Sequence, residues 1–429
     1  MKKRKVIPQM ETLIKGKISR AFFHIKTLLK WLLISVGIGL LVGGISIFFG
    51  YLLTLANSFR EQHTWIILAL PVGGLAIVFL YRFFKNHKDS GTNMVIASIH
   101  SSKDIPFKMA PLIFISTIIT HLCGGSSGRE GAAIQLGGSI ANQVGKVIKL
   151  NENDQHIIIM CGMSAGFSAL FGTPMAAAIF ALEVISIGIM HYSALVPCVT
   201  AAMIAHFMAK YFGVPAEVFP VTGIPEMDIY RFFQILIFGA VVAGVSILFC
   251  IMLHTSEHVY KKVFKNSYIR IFAAGCLIIL LTVVLGTDDY LGSGMNMIEH
   301  IFHTGQSEYY SFLIKMLFTA ITLGAGFKGG EIVPSFCIGA AFGCAVASLM
   351  GMPTGLIAAC GMVGVFCGVT NCPITSLLIS FELFGFEGMP YYLVTVAVSY
   401  MLSGYYGLYR AQKIMYSKTE TNFVNRVAK

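Results

Sequence analysis

One carboxylate, Glu130, stands in a glycine-rich stretch between Gly124 and Gly131, just before an apolar run that begins at Ala132. Glycines free the backbone to turn and to point successive N–H groups inward. A helix that starts after them directs its positive dipole end at the same place. A carboxylate there competes with a passing anion when ionised and leaves the position empty when protonated. The residue types therefore predict an anion site that Glu130 gates.

The composition indicates a membrane protein. Hydrophobic residues make up 56% of the chain and charged residues 12%, roughly half the charge of a soluble domain. In a soluble protein, an acid at a helix start is an ordinary cap. At membrane depth, an ionisable residue is a functional hypothesis. Six apolar runs are long enough to span a bilayer, namely 32–56, 65–84, 156–190, 193–212, 232–253 and 271–285.

The net charge of +11 lies largely in the two ends of the chain, residues 1–31 and 413–429. Because basic segments that flank membrane helices stay inside the cell, both ends are predicted to be cytoplasmic. This placement argues against a nucleic-acid partner. The ten cysteines have no CxxC spacing, so neither a disulfide framework nor a metal site is predicted. No cofactor is predicted.

The chain contains an internal repeat. Three positions recur at a constant offset of 199 residues, as the pairs Cys161 and Cys360, Pro174 and Pro373, and Glu183 and Glu382. A glycine-rich break with a glutamate precedes each block. The predicted organisation is a first membrane repeat over 32–212, a linker over 213–228 and a second repeat over 229–412. Matching broken segments in two halves are typical of transporters whose binding site lies where half-helix ends meet.

Four ordered motifs between residues 32 and 412 resemble the CLC family of anion channels and transporters. Gly128-Arg129-Glu130-Gly131 resembles its gating-glutamate motif, and 171–174 with 180–183 resembles the helix that follows. Residues 330–334 resemble its third anion-binding motif, and Tyr409 stands where the family has a pore tyrosine late in its last membrane helix. The resemblance implies an all-α polytopic fold with an inverted repeat of broken, tilted helices. It also implies a homodimer and eight anion-binding residues, namely Asn93, Gly128, Arg129, Gly131, Gly330, Ile332, Val333 and Tyr409.

Several departures from the chloride-handling members resemble the fluoride-exporting branch of the family. Asn93 takes the place of a serine, and Ala132 replaces a proline. Val184 stands where chloride antiporters carry an inner proton-relay glutamate, and Glu331 is an additional acid. Glu130 and Glu331 are therefore the predicted gating and proton-coupling residues.

Alternative interpretations remain for individual residues. Tyr409 could anchor the membrane interface, and Asn93 could cap a helix. Glu183 and Glu382 are expected to satisfy backbone groups at helix ends. Lys328 is either an ion-pair partner of Glu331 or an attractor of anions at a pore mouth, and Glu331 is either a proton relay or half of that pair.

Three classes of function can be compared with the features of this sequence. The first is anion/proton antiport that exports fluoride, and its partners are the anion, a proton and the lipid bilayer. A chloride/proton antiporter or a passive chloride channel of the same fold is the alternative. An intramembrane enzyme explains neither the repeat nor Glu331, so no enzymatic activity is predicted.

Overall fold

The structure, a computed structural model, describes residues 6–86, 90–101 and 104–428. The basic residues Lys2 to Lys5 of the predicted lead-in lie outside that part of the chain. The lead-in continues into the first span as one helix. The first half contains a 3-10 helix, Thr64–Ala69, and the helices α1 Val6–Gln62, α2 Leu70–Phe83, α3 Thr92–Ser101, α4 Met109–Leu122, α5 Glu130–Val147, α6 Glu152–Phe171, α7 Pro174–Glu183 and α8 Leu195–Tyr211.

The second half begins after the irregular linker 213–228. Its helices are α9 Ile229–Val263, α10 Ser267–Leu285, α11 Met295–Thr304, α12 Ser311–Ala325, α13 Ile332–Met350, α14 Thr354–Thr370, α15 Pro373–Phe384 and α16 Met389–Leu402. The three strands, β1 Ser186–Ile187, β2 Lys413–Tyr416 and β3 Phe423–Val427, form a small sheet in the order β1-β2-β3. The all-α prediction is confirmed for the membrane part, whereas the sheet formed by the tail was not predicted.

Among the described residues, six helical segments are long and apolar enough to cross a membrane. The predicted span 156–190 is not one helix, because the chain breaks after α6. Gly172 ends α6 in the left-handed conformation with φ 76°, and Pro174 begins α7 at a position that needs no backbone donor. Short helices that end inside the protein are how a transporter exposes backbone groups at membrane depth.

The 199-residue repeat is also a repeat of packing. α5 packs on α6 in the first half, and α13 packs on α14 in the second. A Cβ added at Gly137 would lie 2.1 Å from the Gly162 carbonyl oxygen, and one added at Gly339 would lie 2.3 Å from that of Gly361. Only glycine permits such close contact between helices. Glycine therefore permits close helix contact both at the α5–α6 crossing and at the α13–α14 crossing.

Two glutamates join the halves by capping each other's helices. Glu183, at the end of α7, accepts hydrogen bonds from the backbone N–H groups of Ile374 and Thr375 at 3.0 and 2.8 Å. Glu382, at the end of α15, accepts those of Met175 and Ala176 at 2.9 and 3.0 Å. The prediction that both acids satisfy backbone groups at helix ends is confirmed. Each acid serves the start of the other half's helix.

Candidate anion pathway

The two glycine-rich breaks meet in the middle of the protein. The Gly128 N–H donates to the Gly330 carbonyl at 2.6 Å, and the Gly330 N–H donates to the Gly128 carbonyl at 2.7 Å. This antiparallel bridge fixes the points at which α5 and α13 begin. Two helix N-termini from opposite halves therefore lie side by side, and both favour negative charge.

The glycines at the two breaks have no side chains, and this allows the two backbones to lie so close together. A Cβ at Gly131 would lie 2.8 Å from the Gly330 Cα, and one at Gly330 would lie 2.6 Å from the Gly131 nitrogen. The Glu331 Oε2 would be 3.4 Å from the added Gly131 Cβ. The Glu331 carboxylate thus lies beside the start of α5, the helix that carries Glu130.

Glu130, the first residue of α5, is fully buried. Its Oε2 accepts from the Arg129 backbone N–H at 3.1 Å, and its Oε1 accepts from the Arg129 Nε at 3.2 Å. The Arg129 Nη2 donates to Glu217 of the linker at 2.8 Å and to the Leu170 carbonyl at 3.3 Å. The Arg129 guanidinium, a predicted anion ligand, is therefore occupied by the gate and the linker in this conformation.

Glu331 directly precedes α13, whose first residues, Ile332 and Val333, are buried. Its Oε2 is buried and has no hydrogen-bond partner. An acceptor left unpaired at this depth is costly unless a proton, an ion or water occupies the site. The geometry places this acid where a titrating group could act.

Tyr409 is not in a helix. The prediction that it lies late in the last membrane helix is wrong, because α16 ends at Leu402 and Tyr409 lies in the irregular segment that follows. The residue is 1% exposed, which excludes an interfacial anchor, and its hydroxyl has no partner. Its neighbours Leu408 and Arg410 line the same cavity as Glu331. The segment that carries the tyrosine therefore lies beside that acid.

Asn93 lies in the first turn of α3 and does not cap it. Its Oδ1 accepts from the Ala411 backbone N–H at 2.9 Å. Because a backbone N–H only donates, the carboxamide oxygen must face Ala411 and the NH₂ group must face away from it. The NH₂ is thereby available as a donor in the cavity that Asn93 lines.

A cavity of about 1230 Å³ reaches from the protein surface to Asn93 and Glu331. Glu130 is not among the described residues that line it. Of the described lining residues, two are acids, Glu257 and Glu331, whereas six are Lys or Arg, namely Arg82, Lys85, Lys261, Arg270, Lys328 and Arg410. A cleft with this charge raises the local concentration of anions.

Lys328 lines the cavity together with Glu331, as the attractor interpretation requires. Its Nζ lies 4.4 Å from the centre of the Tyr81 ring. The ion pair between Lys328 and Glu331 stays a prediction.

Sequence reasoning missed two polar residues at this site. Gln135, one turn into α5, donates from Nε2 to the Thr92 hydroxyl at 3.1 Å, while its Oε1 is buried without a partner. Ser127 is also buried with an unpartnered hydroxyl. An isolated polar residue in an apolar helix is a signal that could have found Gln135. Ser127 gives no such signal in the sequence, because it lies in a glycine-rich loop.

No group of three or more His, Cys, Asp or Glu residues positioned to hold a metal ion occurs in the described ranges. His121 contacts the Gly128 carbonyl through Nε2 at 3.4 Å, so this histidine supports the first break. The site is therefore built from helix starts, two acids, an amide and a hydroxyl.

Broken helices from two halves that meet around buried acids define the architecture of a secondary transporter. The chain belongs to the family described as voltage gated chloride channel, whose model matches residues 73–404. The prediction of the CLC family is thereby confirmed.

Individual relatives agree with this assignment. A protein named "Chloride/fluoride channel protein" from Pseudomonas syringae pv. tomato is 38% identical over 396 residues, which are 91% of this chain and 87% of the relative. The crystal structure of a CLC-type fluoride/proton antiporter superimposes with a TM-score of 0.87 at 35% identity, covering 90% of this chain and 98% of that one. A slow cyanobacterial Cl⁻/H⁺ antiporter shares the fold at 19% identity, with a TM-score of 0.75 over 87% of this chain and 94% of that one.

Proposed function

We propose that this protein is a fluoride/proton antiporter that exports fluoride from the cell. The observation that carries the proposal is that the bridge between Gly128 and Gly330 brings the buried acids Glu130 and Glu331 to adjacent helix starts. Each acid can bind a proton at a helix start, and the helix start itself attracts an anion. Two such acids can therefore couple proton movement to anion movement. The names of two relatives, one a chloride/fluoride channel and one a fluoride/proton antiporter, support this function.

The donors at the site suit a small anion. Fluoride is strongly hydrated, so removing its water requires several close hydrogen-bond donors. The Asn93 amide, the Tyr409 hydroxyl and the N–H groups at the starts of α5 and α13 can supply them. Chloride needs fewer and looser contacts. The role proposed for the predicted ligands Gly131, Ile332 and Val333 is to present backbone N–H groups. The predicted ligands Gly128 and Gly330 donate to each other in the bridge, so their proposed role is to position the two helix starts.

The proposed proton path uses Glu331 in place of an inner glutamate. Val184 is fully buried at the end of α7 and cannot carry a proton. Glu183, next to it, is engaged with the start of α15. Glu331 adjoins the cavity on one side and the start of α5 on the other. A proton taken up by Glu331 is thus close to the helix that carries the gate.

We also propose that the protein is a homodimer in the cell membrane with both termini in the cytoplasm. The basic ends of the chain and the family resemblance support this arrangement. Single cysteines introduced near the two ends should react with a membrane-impermeant reagent from the same side. Labelling of the two ends from opposite sides would contradict the orientation.

Reconstitution into liposomes tests the function. Vesicles loaded with fluoride should release it through the protein and take up protons in exchange, whereas chloride-loaded vesicles should release little. Equal fluoride and chloride release would favour the chloride antiporter. Fluoride release without proton uptake would favour a passive channel.

Replacing Asn93 with Ser should lower the ratio of fluoride to chloride flux by about tenfold, since a lost hydrogen bond to a charged group is worth about 1.5–3 kcal/mol. A serine hydroxyl is too short to accept from Ala411 and also donate to the anion as the amide does. Initial efflux rates of both anions from liposomes measure the ratio. Thr92→Ser is the matched control, because it keeps the hydroxyl that Gln135 contacts. An unchanged ratio in folded Asn93→Ser would remove Asn93 from the anion site.

A further inference from the structure

The segment that carries Tyr409 has no regular structure of its own. It runs from Ser403 to Gln412, between α16 and β2. It supplies the Tyr409 hydroxyl to the site, and its Ala411 N–H orients the Asn93 amide. Two of the proposed anion ligands therefore depend on how firmly this one segment is held.

Asn371 is the centre of the contacts that hold the segment. It follows α14 in the left-handed conformation, with φ 60°. Its Nδ2 donates to the Tyr406 carbonyl and to the Gln412 Oε1, both at 3.0 Å. These acceptors lie on either side of Tyr409 in the chain. One side chain therefore fixes both ends of the stretch that presents the tyrosine.

Other contacts hold the same stretch in register. The Leu408 N–H donates to the Val369 carbonyl at 2.8 Å, and the Gln412 Nε2 donates to the Thr370 carbonyl at 2.8 Å. On the opposite flank, the His254 ring contacts the Gly407 carbonyl at 2.8 Å. The segment lies between the end of α14 and the C-terminal part of α9. The Asn371 side chain contacts it at two points, Tyr406 and Gln412.

Lys418, from the loop between β2 and β3, sets the orientation of Asn371. Its Nζ donates to the Asn371 Oδ1 and, at 2.9 Å, to the Ser403 hydroxyl. It also lies 4.6 Å from the centre of the Tyr400 ring. Because an ammonium only donates, the Asn371 oxygen must face Lys418 and the NH₂ must face the two oxygens of the segment. Without the lysine, the Asn371 Oδ1 loses its charged donor, and the side chain is held only through its NH₂ group.

The tail sheet brings Lys418 to this position. β2 pairs in parallel with β1, which follows α7, and antiparallel with β3. The Ala428 N–H closes the hairpin on the Gln412 carbonyl at 3.1 Å. Burial lowers the pKa of Lys418 to about 8, so most of the ammonium remains charged at neutral pH. A charged donor holds its acceptors more strongly than a neutral one.

We propose that Lys418 is a positioning residue which, through Asn371, holds Tyr409 and the Asn93 amide in the geometry that selects the anion. The C-terminal hairpin then contributes to selectivity without touching the pathway. This inference rests on the proposed function, since it presupposes that Tyr409 and Asn93 bind the transported anion.

Lys418→Met is the direct test. It keeps the length of the side chain and removes the donor. The variant should fold normally, raise the apparent KM for fluoride and lower the ratio of fluoride to chloride flux by about tenfold, while the maximal fluoride rate changes less. Lys418→Arg, which also only donates, should restore most of the ratio. Lys413→Met is the matched control, because Lys413 is a cation of β2 in the same hairpin. It should leave the ratio unchanged.

Asn371→Asp tests the same contacts from the other end. The aspartate keeps the Lys418 contact as an ion pair, which supports folding, but it directs an oxygen at Tyr406 and Gln412 in place of the NH₂. The flux ratio should fall as in Lys418→Met. An unchanged ratio and KM in either folded variant would overturn the inference. If Lys418→Met fails to fold, folded Asn371→Asp decides the question alone.

The wild-type measurement separates this inference from the proposed function. Wild-type protein that exchanges fluoride for protons, together with variants that keep its selectivity, refutes only the role of Lys418. Wild-type protein without a fluoride preference refutes the proposed function itself.

Discussion

Glu130→Gln will reduce proton movement to the level of protein-free vesicles while the protein still folds. The glutamine has the shape of the protonated acid and can still accept one of the two hydrogen bonds from Arg129, but it cannot titrate. In the wild type, the Glu130 carboxyl group is held at the start of α5 by the Arg129 side chain and backbone. Once that titrating group is gone, anion movement is no longer linked to a proton. Simultaneous recording of fluoride and pH measures both fluxes.

Glu217→Gln is the control for this experiment. Glu217 holds the same Arg129 guanidinium at 2.8 Å, and its amide replacement keeps an acceptor oxygen. Glu217→Gln should therefore remain coupled. If it loses coupling as Glu130→Gln does, the arginine contact is responsible. If Glu130→Gln still drives protons against their gradient, Glu130 is not the proton carrier.

Glu331→Gln will leave the fold intact and lower proton-coupled flux by about 100-fold, the smaller end of the effect of removing an acid–base group. The Oε2 of Glu331 has no hydrogen-bond partner, so the fold does not depend on a bond to that oxygen. The proposed proton path runs through its position between the cavity and the start of α5. Rates of fluoride and proton flux, measured together with thermal unfolding, test both statements.

Two comparison variants distinguish a proton relay from a structural ion pair. Glu257→Gln removes a second acid that lines the cavity, one that is bound to Lys261 and Arg410, and it should remain coupled. Lys328→Met removes the cation three residues before Glu331 and should fold. If Glu331→Gln and Lys328→Met both fail to fold, the pair is structural and the proton travels elsewhere.

The sequence predicted the features of the fold that depend on local residue types. Glycine breaks, a proline at a helix start and a 199-residue offset are all visible in one dimension. They predicted the two halves, the break before Glu130 and the second break at Glu331. They also predicted that Glu183 and Glu382 serve helix ends, although not that each serves the opposite half.

The remaining features depend on contacts between distant parts of the chain. Arg129 was predicted to be an anion ligand. The sequence did not show that Glu217 engages its guanidinium, because this linker residue is 88 positions away. Tyr409 was predicted to be helical from the family resemblance, and the sequence itself does not show that α16 ends at Leu402. Lys418 looked like part of a basic tail because its charge, and not its contact with Asn371, is what the sequence displays. Periodicity does not reveal contacts of this kind.

The central claim is that fluoride leaves in exchange for a proton, and one liposome measurement tests it directly. Vesicles containing potassium fluoride, with an interior more acidic than the medium, are diluted into fluoride-free buffer with valinomycin to carry the balancing charge. Fluoride and pH electrodes then record the medium together. We expect fluoride to appear outside while the medium becomes more alkaline, because protons enter against their gradient. Leakage of hydrogen fluoride would acidify the medium instead. Fluoride release without alkalinisation, or an equal release from chloride-loaded vesicles, would contradict the account.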